Sequence, residues 1–320
     1  MFAITVPRHG GPEVLTYAEV DAPTSTDDQV LVAVDVAGVN YIDTYYREGT
    51  YHHATPFALG FEGTGRVLSD PRGEFEEGTR VAWDDALGSY AEQVCVKRNR
   101  LIRVPESVDA DVAASMLLQG MTAHYLTHGV YELGPDSSCL ITAGAGGVGL
   151  VATQMAKKLG AAVYTVVSSD EKEQLSYEAG ADHVFRYGAS LAEQVRRFNG
   201  NRGVDVVYDG VGKDTFQESL EVVRPRGTVC LFGAASGPVE PVDPQVLNKH
   251  GSLFLTRPSL GAWTAGPGEF AERAQAVVDG VADGWLNFRV GATYPLAEAA
   301  QAHRDLQARK TTGSIVLRVR

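Results

Sequence analysis

The sequence predicts an α/β protein of two domains, one rich in β-strands and one built on a doubly wound parallel sheet. Two observations lead to this prediction. The first hundred residues contain short strands separated by glycines, and from Ser138 onward short apolar strands alternate with helix-like segments. At 320 residues, of which 44% are hydrophobic, the chain is long enough for each domain to have its own core.

The strand-rich domain is predicted to contain both ends of the chain. Its clearest strand is Gln29–Val39. Further strands are expected over 59–68, 79–83 and 90–96. Over 109–131 the apolar residues recur at helical spacing. Near the C-terminal end we expect a helix at 269–280 and a final strand at 314–319, and neither has a crossover partner in the other domain. We therefore assign residues 1–120 and 258–320 to this domain.

Residues 121–257 are predicted to form the doubly wound sheet. Its strands are expected at 138–143, 161–167, 183–187, 204–208 and 228–232, with a sixth at 252–256. Helix-like segments separate them, which is the pattern of a parallel sheet covered by helices on both faces.

A glycine-rich turn joins the first strand of this sheet to the next helix. The residues Gly144-Ala145-Gly146-Gly147-Val148-Gly149 have the G-x-G-x-x-G spacing, with a strand before and a helical repeat after. We expect Gly144 to permit a tight turn, Gly146 to let backbone N–H groups approach a pyrophosphate, and Gly149 to let the helix pack on the strand. Such turns also connect strands to helices without a ligand, but both flanking elements favour a dinucleotide site.

The end of the second strand indicates which dinucleotide binds. An NAD site typically has Asp or Glu there, about 20 residues past the glycines. This chain has Ser168 and Ser169, and Lys172 follows within one helical turn. Hydroxyls and an ammonium suit a 2′-phosphate, which predicts NADPH rather than NADH. We interpret the neighbouring Asp170 and Glu171 as residues that cap the helix and point away.

Composition and charge argue against several other classes. A formal net charge of −12 would repel nucleic acid and anionic lipid, so neither is expected as a partner. No apolar run approaches about 18 residues and no basic segment precedes a long apolar core at the N-terminus, so we expect a cytoplasmic location. The cysteines Cys95, Cys139 and Cys230 lack C-x-x-C spacing and are interpreted as core residues.

Several motifs together resemble the zinc-independent NADPH:quinone oxidoreductases related to zeta-crystallin, in the medium-chain dehydrogenase/reductase superfamily. The matching stretches are residues 10–15, 40–45, 120–123, 145–149, 207–212 and 256–260. The resemblance covers essentially the whole chain, with one departure at Gly144, where these reductases usually have a residue with a Cβ. It implies a GroES-like, partly open β-barrel catalytic domain beside a Rossmann domain. It also implies a homodimer paired through the apolar edge strand from Ser252 to Thr256, with Leu253 at the interface.

The resemblance further implies catalysis without a metal. Where zinc-dependent relatives have catalytic zinc ligands, this chain has Asn40 and Gly60-Phe61-Glu62, and the cysteine-rich structural lobe is missing. The pair His52-His53 has no further ligand spacing, so no metal site is predicted. A quinone is electrophilic without help from a Lewis acid, which makes it a suitable acceptor of hydride.

By the same resemblance, a quinone would bind in a cleft between the two domains. The residues implied to line its pocket are Asn40, Tyr45, Tyr51 and Arg257. Asp43 would orient the loop that carries the first three of these. A tyrosine offers a flat apolar face and an O–H, and Arg257 can stabilise developing negative charge. We interpret Tyr46 as a packing residue.

Further residues are implied to contact NADPH. Tyr187 would flank the 2′-phosphate, Phe232 to Ala234 would pass under the nicotinamide ribose, and Thr122 would lie near the carboxamide. Arg309 would add charge, although it could equally be a solvated cation at a helix end. The complete predicted cofactor set is Tyr41, Thr122, Gly144, Ala145, Gly146, Gly147, Val148, Gly149, Ser168, Lys172, Tyr187, Phe232, Gly233, Ala234 and Arg309.

The leading hypothesis is therefore hydride transfer from NADPH to a quinone. Two alternatives stay open: reduction of the C=C bond of an enone or alkenal, and a non-catalytic NADPH-binding protein of the crystallin or RNA-binding kind. The acidic charge weighs against RNA. The presence of Asn40, Tyr45, Tyr51 and Arg257 together weighs against loss of catalysis.

Overall fold

The computed structural model describes residues 1–188 and 190–319. They separate into two compact units, which we call unit 1 (Met1–Gln119 with Pro267–Arg320) and unit 2 (Gly120–Gly266). Each unit has its own hydrophobic core, as the composition predicts.

The strands are numbered in chain order. They are β1 (Phe2–Val6), β2 (Thr16–Glu19), β3 (Gln29–Val39), β4 (Phe57–Ala58), β5 (Glu62–Ser69), β6 (Arg80–Trp83), β7 (Gln93–Lys97), β8 (Ile102–Arg103), β9 (Ser138–Thr142), β10 (Ala162–Val167), β11 (His183–Arg186), β12 (Val204–Asp209), β13 (Val223–Leu231), β14 (Phe254–Thr256), β15 (Val290–Pro295) and β16 (Ser314–Arg318).

The α-helices are numbered in the same way. They are α1 (Tyr41–Glu48), α2 (Ala110–Ala113), α3 (Met116–Tyr125), α4 (Gly147–Lys158), α5 (Asp170–Glu178), α6 (Leu191–Phe198), α7 (Phe216–Val222), α8 (Gln245–Lys249), α9 (Leu260–Trp263), α10 (Glu269–Ala282) and α11 (Ala299–Gln307). Short 3₁₀ segments and a π-helical turn, Leu126–Val130, complete the described helical structure. The predicted helix over 109–131 is thus divided into three pieces.

Unit 1 is built on a seven-stranded, mostly antiparallel sheet and a three-stranded sheet. The larger has the order β15-β16-β3-β5-β6-β8, with β7 also paired to β3, and the smaller has the order β2-β1-β4. β3 occupies the centre because nearly all of its side chains, on both faces, are buried. It pairs with β16 from the C-terminal end of the chain, which confirms that the last strand belongs to this sheet.

Unit 2 contains one parallel sheet of six strands, in the order β11-β10-β9-β12-β13-β14. The strand that comes first in the chain, β9, lies between β10 and β12. This is the point where the strand order reverses, and ligands of doubly wound sheets bind at the carboxyl ends of the strands there.

The second boundary of unit 2 lies further along the chain than the sequence predicted. Residues 258–266 belong to unit 2, whereas we assigned them to the strand-rich domain. Ser259 caps α9 by accepting from the Ala262 N–H, and the ring of Trp263 stacks on Tyr125 at 5.6 Å between centroids. The stacking of Trp263 on Tyr125 fixes the segment to unit 2, and the sequence pattern does not show it.

The three cysteines are free thiols. Cys139 and Cys230 are buried free thiols, as predicted, and Cys95 is half-buried. Burial raises the pKa of all three thiols above the ordinary value. Among residues 1–188 and 190–319, no helix combines the length and apolar character needed to cross a bilayer.

Candidate cofactor and substrate site

Most of the predicted substrate residues lie on or beside α1 in unit 1. Asn40 precedes the helix in an extended conformation, and its backbone N–H donates to Asp43 Oδ2 at 2.7 Å. Gly49, with φ of 83°, ends the helix. The expectation that these residues lie on a loop is therefore wrong: the Asp43 carboxylate caps the first turn and Gly49 supplies the left-handed ending. Tyr45 lies on the helix.

The carboxamide of Asn40 is held on both sides by buried side chains. Its Nδ2 donates to Glu62 Oε2 at 2.7 Å, and its Oδ1 accepts from Gln119 Nε2 at 3.3 Å. Glu62 Oε1 accepts from the Leu118 N–H at 2.8 Å. Burial raises the pKa of Glu62 to about 8, outweighing the hydrogen bonds that lower it. These contacts fix the orientation of the amide.

Asp43 belongs to a second buried chain of hydrogen bonds. Its carboxylate accepts from the Tyr90 O–H at 2.8 Å, and burial raises its pKa to about 7. Arg47 Nη1 lies 3.0 Å from His303 Nδ1. Because arginine can only donate, Nδ1 is the acceptor and the proton of the neutral ring is on Nε2, which lies 3.4 Å from the Tyr90 oxygen. Burial and the charge of Arg47 lower the pKa of His303 to about 3, so the ring stays neutral.

The tyrosines near α1 form an aromatic cluster. Tyr51, which is 41% exposed, meets Tyr45 and Tyr46 edge-on, at 5.4 Å and 5.7 Å between centroids. Tyr46 also packs on Phe61 at 4.6 Å, in agreement with a packing role. The hydroxyl of Tyr41 donates to the Leu306 carbonyl at 3.1 Å.

The glycine-rich turn of unit 2 has the predicted strand and helix on its flanks, but Gly144 does not have the predicted role. The left-handed residue is Ala143, with φ of 51°. A Cβ on Gly144 would come within 2.6 Å of Thr165 Cβ, so glycine is needed there for close packing on β10. A Cβ on Gly149 would lie 2.4 Å from the Ala143 oxygen, which agrees with close approach of α4 to the turn.

The residues predicted for the 2′-phosphate lie together at the carboxyl end of the sheet. Val167 of β10 is in register with Arg186 of β11, so Ser168 and Tyr187 follow on adjacent strands. Lys172 Nζ lies 3.5 Å from Ser168 Oγ. The Tyr187 oxygen accepts from the Ala143 N–H at 2.8 Å, which connects this cluster to the glycine turn.

The N-terminal cap of α5 differs from the one predicted. Ser169, not Asp170 or Glu171, is the N-cap of α5, because its Oγ accepts from the Lys172 N–H at 3.3 Å. The Asp170 carboxylate forms an ion pair with Arg186, with Nη2 and Oδ1 2.6 Å apart.

The structure also shows where the remaining predicted residues lie. Arg257 follows β14, and its Nη1 donates to the Phe232 carbonyl at 3.1 Å, which places it beside the segment from Phe232 to Ala234. Thr122 is buried on α3. Arg309, with φ of 56°, ends α11 by donating its N–H to the Leu306 carbonyl at 3.0 Å. Within the described ranges, no three His, Cys, Asp or Glu side chains are grouped to hold a metal ion.

Comparisons with known proteins identify the family. The model of the alcohol dehydrogenase GroES-like domain matches residues 26–106, and that of the zinc-binding dehydrogenase domain matches residues 147–279. A quinone oxidoreductase from Pseudomonas aeruginosa is 40% identical over 314 residues, which cover 97% of each chain. The chain belongs to the quinone oxidoreductase family. The predicted family, and the predicted fold class of a GroES-like domain with a Rossmann domain, are therefore confirmed.

The descriptions of two other similar proteins name a cofactor and a substrate. A solved mycobacterial structure described as complexed with NADPH has a TM-score of 0.97 and 46% identity, covering 99% of this chain and 100% of that one. A 2-haloacrylate reductase from a Burkholderia species is 38% identical and covers 99% of this chain and 98% of its own.

Proposed function

We propose that this oxidoreductase transfers hydride from NADPH to a quinone. The observation that carries the proposal is an NADPH-type strand end, with Ser168 and Lys172 in place of a carboxylate, in a chain of the quinone oxidoreductase family. Quinone reduction is the activity in the name of the Pseudomonas aeruginosa relative. NADPH is the ligand in the description of the mycobacterial structure.

The residues of unit 2 fit this cofactor. The N-terminus of α4, a helix of 12 residues, provides backbone N–H groups and partial positive charge for a pyrophosphate. Gly146 at its N-cap keeps that approach open, since a Cβ there would meet only atoms of Ala143 within 4 Å. Ser168, Lys172 and Tyr187 would hold the 2′-phosphate. When bound, NADPH supplies the hydride.

In our proposal the substrate oxygen is stabilised by donors from the protein. Glu62 accepts one hydrogen of the Asn40 amide at 2.7 Å, which leaves its second N–H as the donor that the carboxamide can offer a ligand. The hydroxyls of Tyr45 and Tyr51 and the guanidinium of Arg257 are the further proposed donors. A hydroquinone anion can take its proton from water, so no single residue has to be the acid.

We propose no zinc requirement, because Asn40 and Phe61 stand at positions where zinc-dependent relatives carry ligands. Activity should survive treatment with a chelator. Stoichiometric zinc in the purified protein, with activity lost on its removal and regained on its return, would contradict the proposal.

A second candidate function is reduction of an activated C=C bond, which the name of the 2-haloacrylate reductase relative favours. A steady-state screen of NADPH oxidation with 1,4-benzoquinone, 9,10-phenanthrenequinone and a small enone separates the two. We expect the quinones to give the higher kcat/KM. A higher value for the enone would favour the second function, and failure of all three would support a non-catalytic role.

The same protein should bind NADPH at least about tenfold more tightly than NADH, since charge-assisted bonds to the 2′-phosphate are worth about 1.4 kcal/mol or more. In a direct titration, Lys172→Ala should narrow the difference between the dissociation constants for NADPH and NADH. Equal affinities in the unmodified protein would contradict the assignment of NADPH.

Tyr45→Phe should slow turnover by about one to two powers of ten without abolishing it, because one hydrogen-bond donor is removed from the substrate oxygen. Tyr46→Phe is the matched control and should have little effect. Single-turnover rates with deuterated NADPH report whether hydride transfer is the step affected. Unchanged rates in Tyr45→Phe, Tyr51→Phe and Arg257→Ala would place the substrate elsewhere.

A homodimer through β14 is also part of the proposal, because in the described part of the chain β14 pairs with β13 alone and ends the sheet. Phe254 is 65% exposed, whereas Leu253 is 7% exposed and packs in the core of unit 2, so Phe254 rather than Leu253 is the side chain that we propose for the interface. Phe254→Lys should therefore lower the mass found by sedimentation. Tyr177→Lys, at another exposed aromatic residue, should leave it unchanged.

We also propose that the protein is located in the cytoplasm. The three free cysteines support it, because the cytosol keeps thiols reduced.

A further inference from the structure

The first turn of α5 carries more negative charge than an NADPH site should tolerate. Asp170, Glu171 and Glu173 all lie in that turn, directly after Ser168 and alongside Lys172. In a doubly wound sheet, a carboxylate at this strand end selects NAD because it repels the 2′-phosphate of NADPH. The local charge therefore opposes the proposed cofactor unless something compensates it.

Arg186 pairs with two of these three carboxylates. Its Nη2 lies 2.6 Å from Asp170 Oδ1 and 2.5 Å from Glu173 Oε2. Arg186 is the last residue of β11 and is in register with Val167, the last residue of β10. The guanidinium therefore comes from the strand next to β10, which Ser168 follows, and it is fixed at the carboxyl edge of the sheet.

We propose that Arg186 determines the preference for NADPH by holding Asp170 and Glu173 in ion pairs and offsetting part of their negative charge beside the 2′-phosphate. The inference rests on the proposed use of NADPH. Without Arg186, two uncompensated carboxylates would stand within one helical turn of Lys172 and repel a dianionic phosphate. NADH has a neutral hydroxyl at that position, so its binding should be nearly insensitive to the change.

Arg186 acts in this proposal as a positioning residue, through the two carboxylates. A purely structural role, in which the ion pairs only fasten α5 to β11, predicts a different result. Loosening α5 would weaken both cofactors equally, whereas loss of charge compensation weakens only the one that carries the phosphate. The ratio of the two dissociation constants therefore separates these roles.

The test is a direct fluorescence titration of the full-length protein with NADPH and with NADH at low ionic strength. Arg186→Gln should raise the dissociation constant of NADPH about tenfold and that of NADH by less than about twofold, as expected when one positive charge near a phosphate is lost at the protein surface. Raising the salt should shrink the difference. A triple variant that combines Arg186→Gln with Asp170→Asn and Glu173→Gln should restore the ratio of the NADPH and NADH dissociation constants found in the unmodified protein.

Arg196→Gln is the matched control, because it removes the same charge from unit 2. Arg196 donates to the Glu221 carbonyl at 2.6 Å, near the end of α7. Helices of a doubly wound sheet end at the edge opposite to the carboxyl ends of the strands, so this variant should leave the ratio unchanged.

Three outcomes would overturn the proposal. Arg186→Gln weakens the binding of NADPH and NADH equally, the triple variant fails to restore the ratio of the two dissociation constants, or Arg196→Gln changes that ratio as much as Arg186→Gln does. If the unmodified protein prefers NADPH and Arg186→Gln keeps that preference, only the role of Arg186 is wrong. If the unmodified protein has no preference, the assignment of NADPH fails and this inference fails with it.

Discussion

The side chains that support α1 and Asn40 and those proposed for the 2′-phosphate are held in opposite ways. Around α1 in unit 1, three ionisable side chains are buried: Asp43, Arg47 and Glu62 are each 0% exposed. At the carboxyl end of the sheet in unit 2, Tyr187 is 37% exposed and Ser168 lies at the surface. The first region keeps its geometry by buried hydrogen bonds, and the second by the backbone of two strands and a glycine turn.

Because of this difference, we expect substitutions in the first region to change the stability of the fold and those in the second to change the affinity for NADPH. A buried charged or polar group that loses its partner cannot be solvated, so substitutions around α1 should cost free energy of unfolding. Groups at the surface are compensated by water, so substitutions near Tyr187 should change the binding of NADPH while the free energy of unfolding stays nearly the same.

The largest effect is expected at Arg47. Its guanidinium donates to His303 Nδ1 and Gln307 Oε1, each at 3.0 Å, and is fully buried. Arg47→Met leaves these acceptors and the Glu48 carboxylate, which also pairs with the guanidinium, without their donor, and should lower the free energy of unfolding by about 3–5 kcal/mol, measured by urea denaturation. Arg66→Met is the control, since its pair with Glu106 is exposed and is worth at most about 1 kcal/mol. Similar losses in both variants would remove the contrast.

An intermediate effect is expected in the pH dependence that Glu62 contributes. Its pKa of about 8 in the folded protein lies above the ordinary value of 4.5, so between these pH values the native state binds more protons than the unfolded state. The stabilisation is complete below the unfolded pKa and is lost as pH rises through the folded one. Glu62→Gln should therefore remove a downward slope of up to about 1.4 kcal/mol per pH unit between about pH 5 and 8.

Urea denaturation at several pH values measures that slope. Asp43, whose pKa is also raised, should keep its own part of the slope in Glu62→Gln. Glu106→Gln is the matched control at an exposed glutamate and should leave the slope as it is. An unchanged slope in Glu62→Gln would mean that this carboxyl titrates normally, and the contrast between the two regions would weaken.

The smallest effect is expected at Tyr187. Tyr187→Phe removes the hydroxyl that we propose to donate to the 2′-phosphate, a hydrogen bond worth about 0.5–1.5 kcal/mol, while water can replace that hydroxyl as the acceptor of the exposed Ala143 N–H. The dissociation constant for NADPH should rise about threefold, while the urea midpoint stays unchanged. Tyr177→Phe, at another exposed tyrosine of unit 2, should alter neither quantity. A loss of stability without loss of affinity would contradict the assignment of Tyr187 to the cofactor.

Local patterns in the sequence predicted much of the fold. The bounds of β3 agree with the prediction, because its run of apolar and β-branched residues ends where Asn40 begins the next element. The five predicted strands of the parallel sheet from 138 to 232 all form, since each is a short apolar run with helix signals between. The glycine turn was found by its spacing, although the left-handed residue proved to be Ala143.

The remaining features depend on contacts between distant residues. α1 was expected to be a loop, although Asn40 and Asp43 have the spacing of a capping box and Gly49 can end a helix; only the partner of Asp43, Tyr90, comes from a distant part of the chain. Arg47 and His303 come from opposite ends of the chain. Glu62 gave one usable signal, a carboxylate directly after the apolar and glycine-containing run Leu59-Gly60-Phe61, which indicates a buried acid with a partner.

The burial of the three cysteines has a consequence for the durability of a catalyst that handles quinones. Quinones are Michael acceptors, and they alkylate thiolates rather than thiols. Because burial raises the pKa of Cys95, Cys139 and Cys230, the reactive thiolate form is scarce at all three positions. We therefore expect the enzyme to resist arylation by its own substrate, with adducts forming first at the half-buried Cys95 when a quinone is present in large excess.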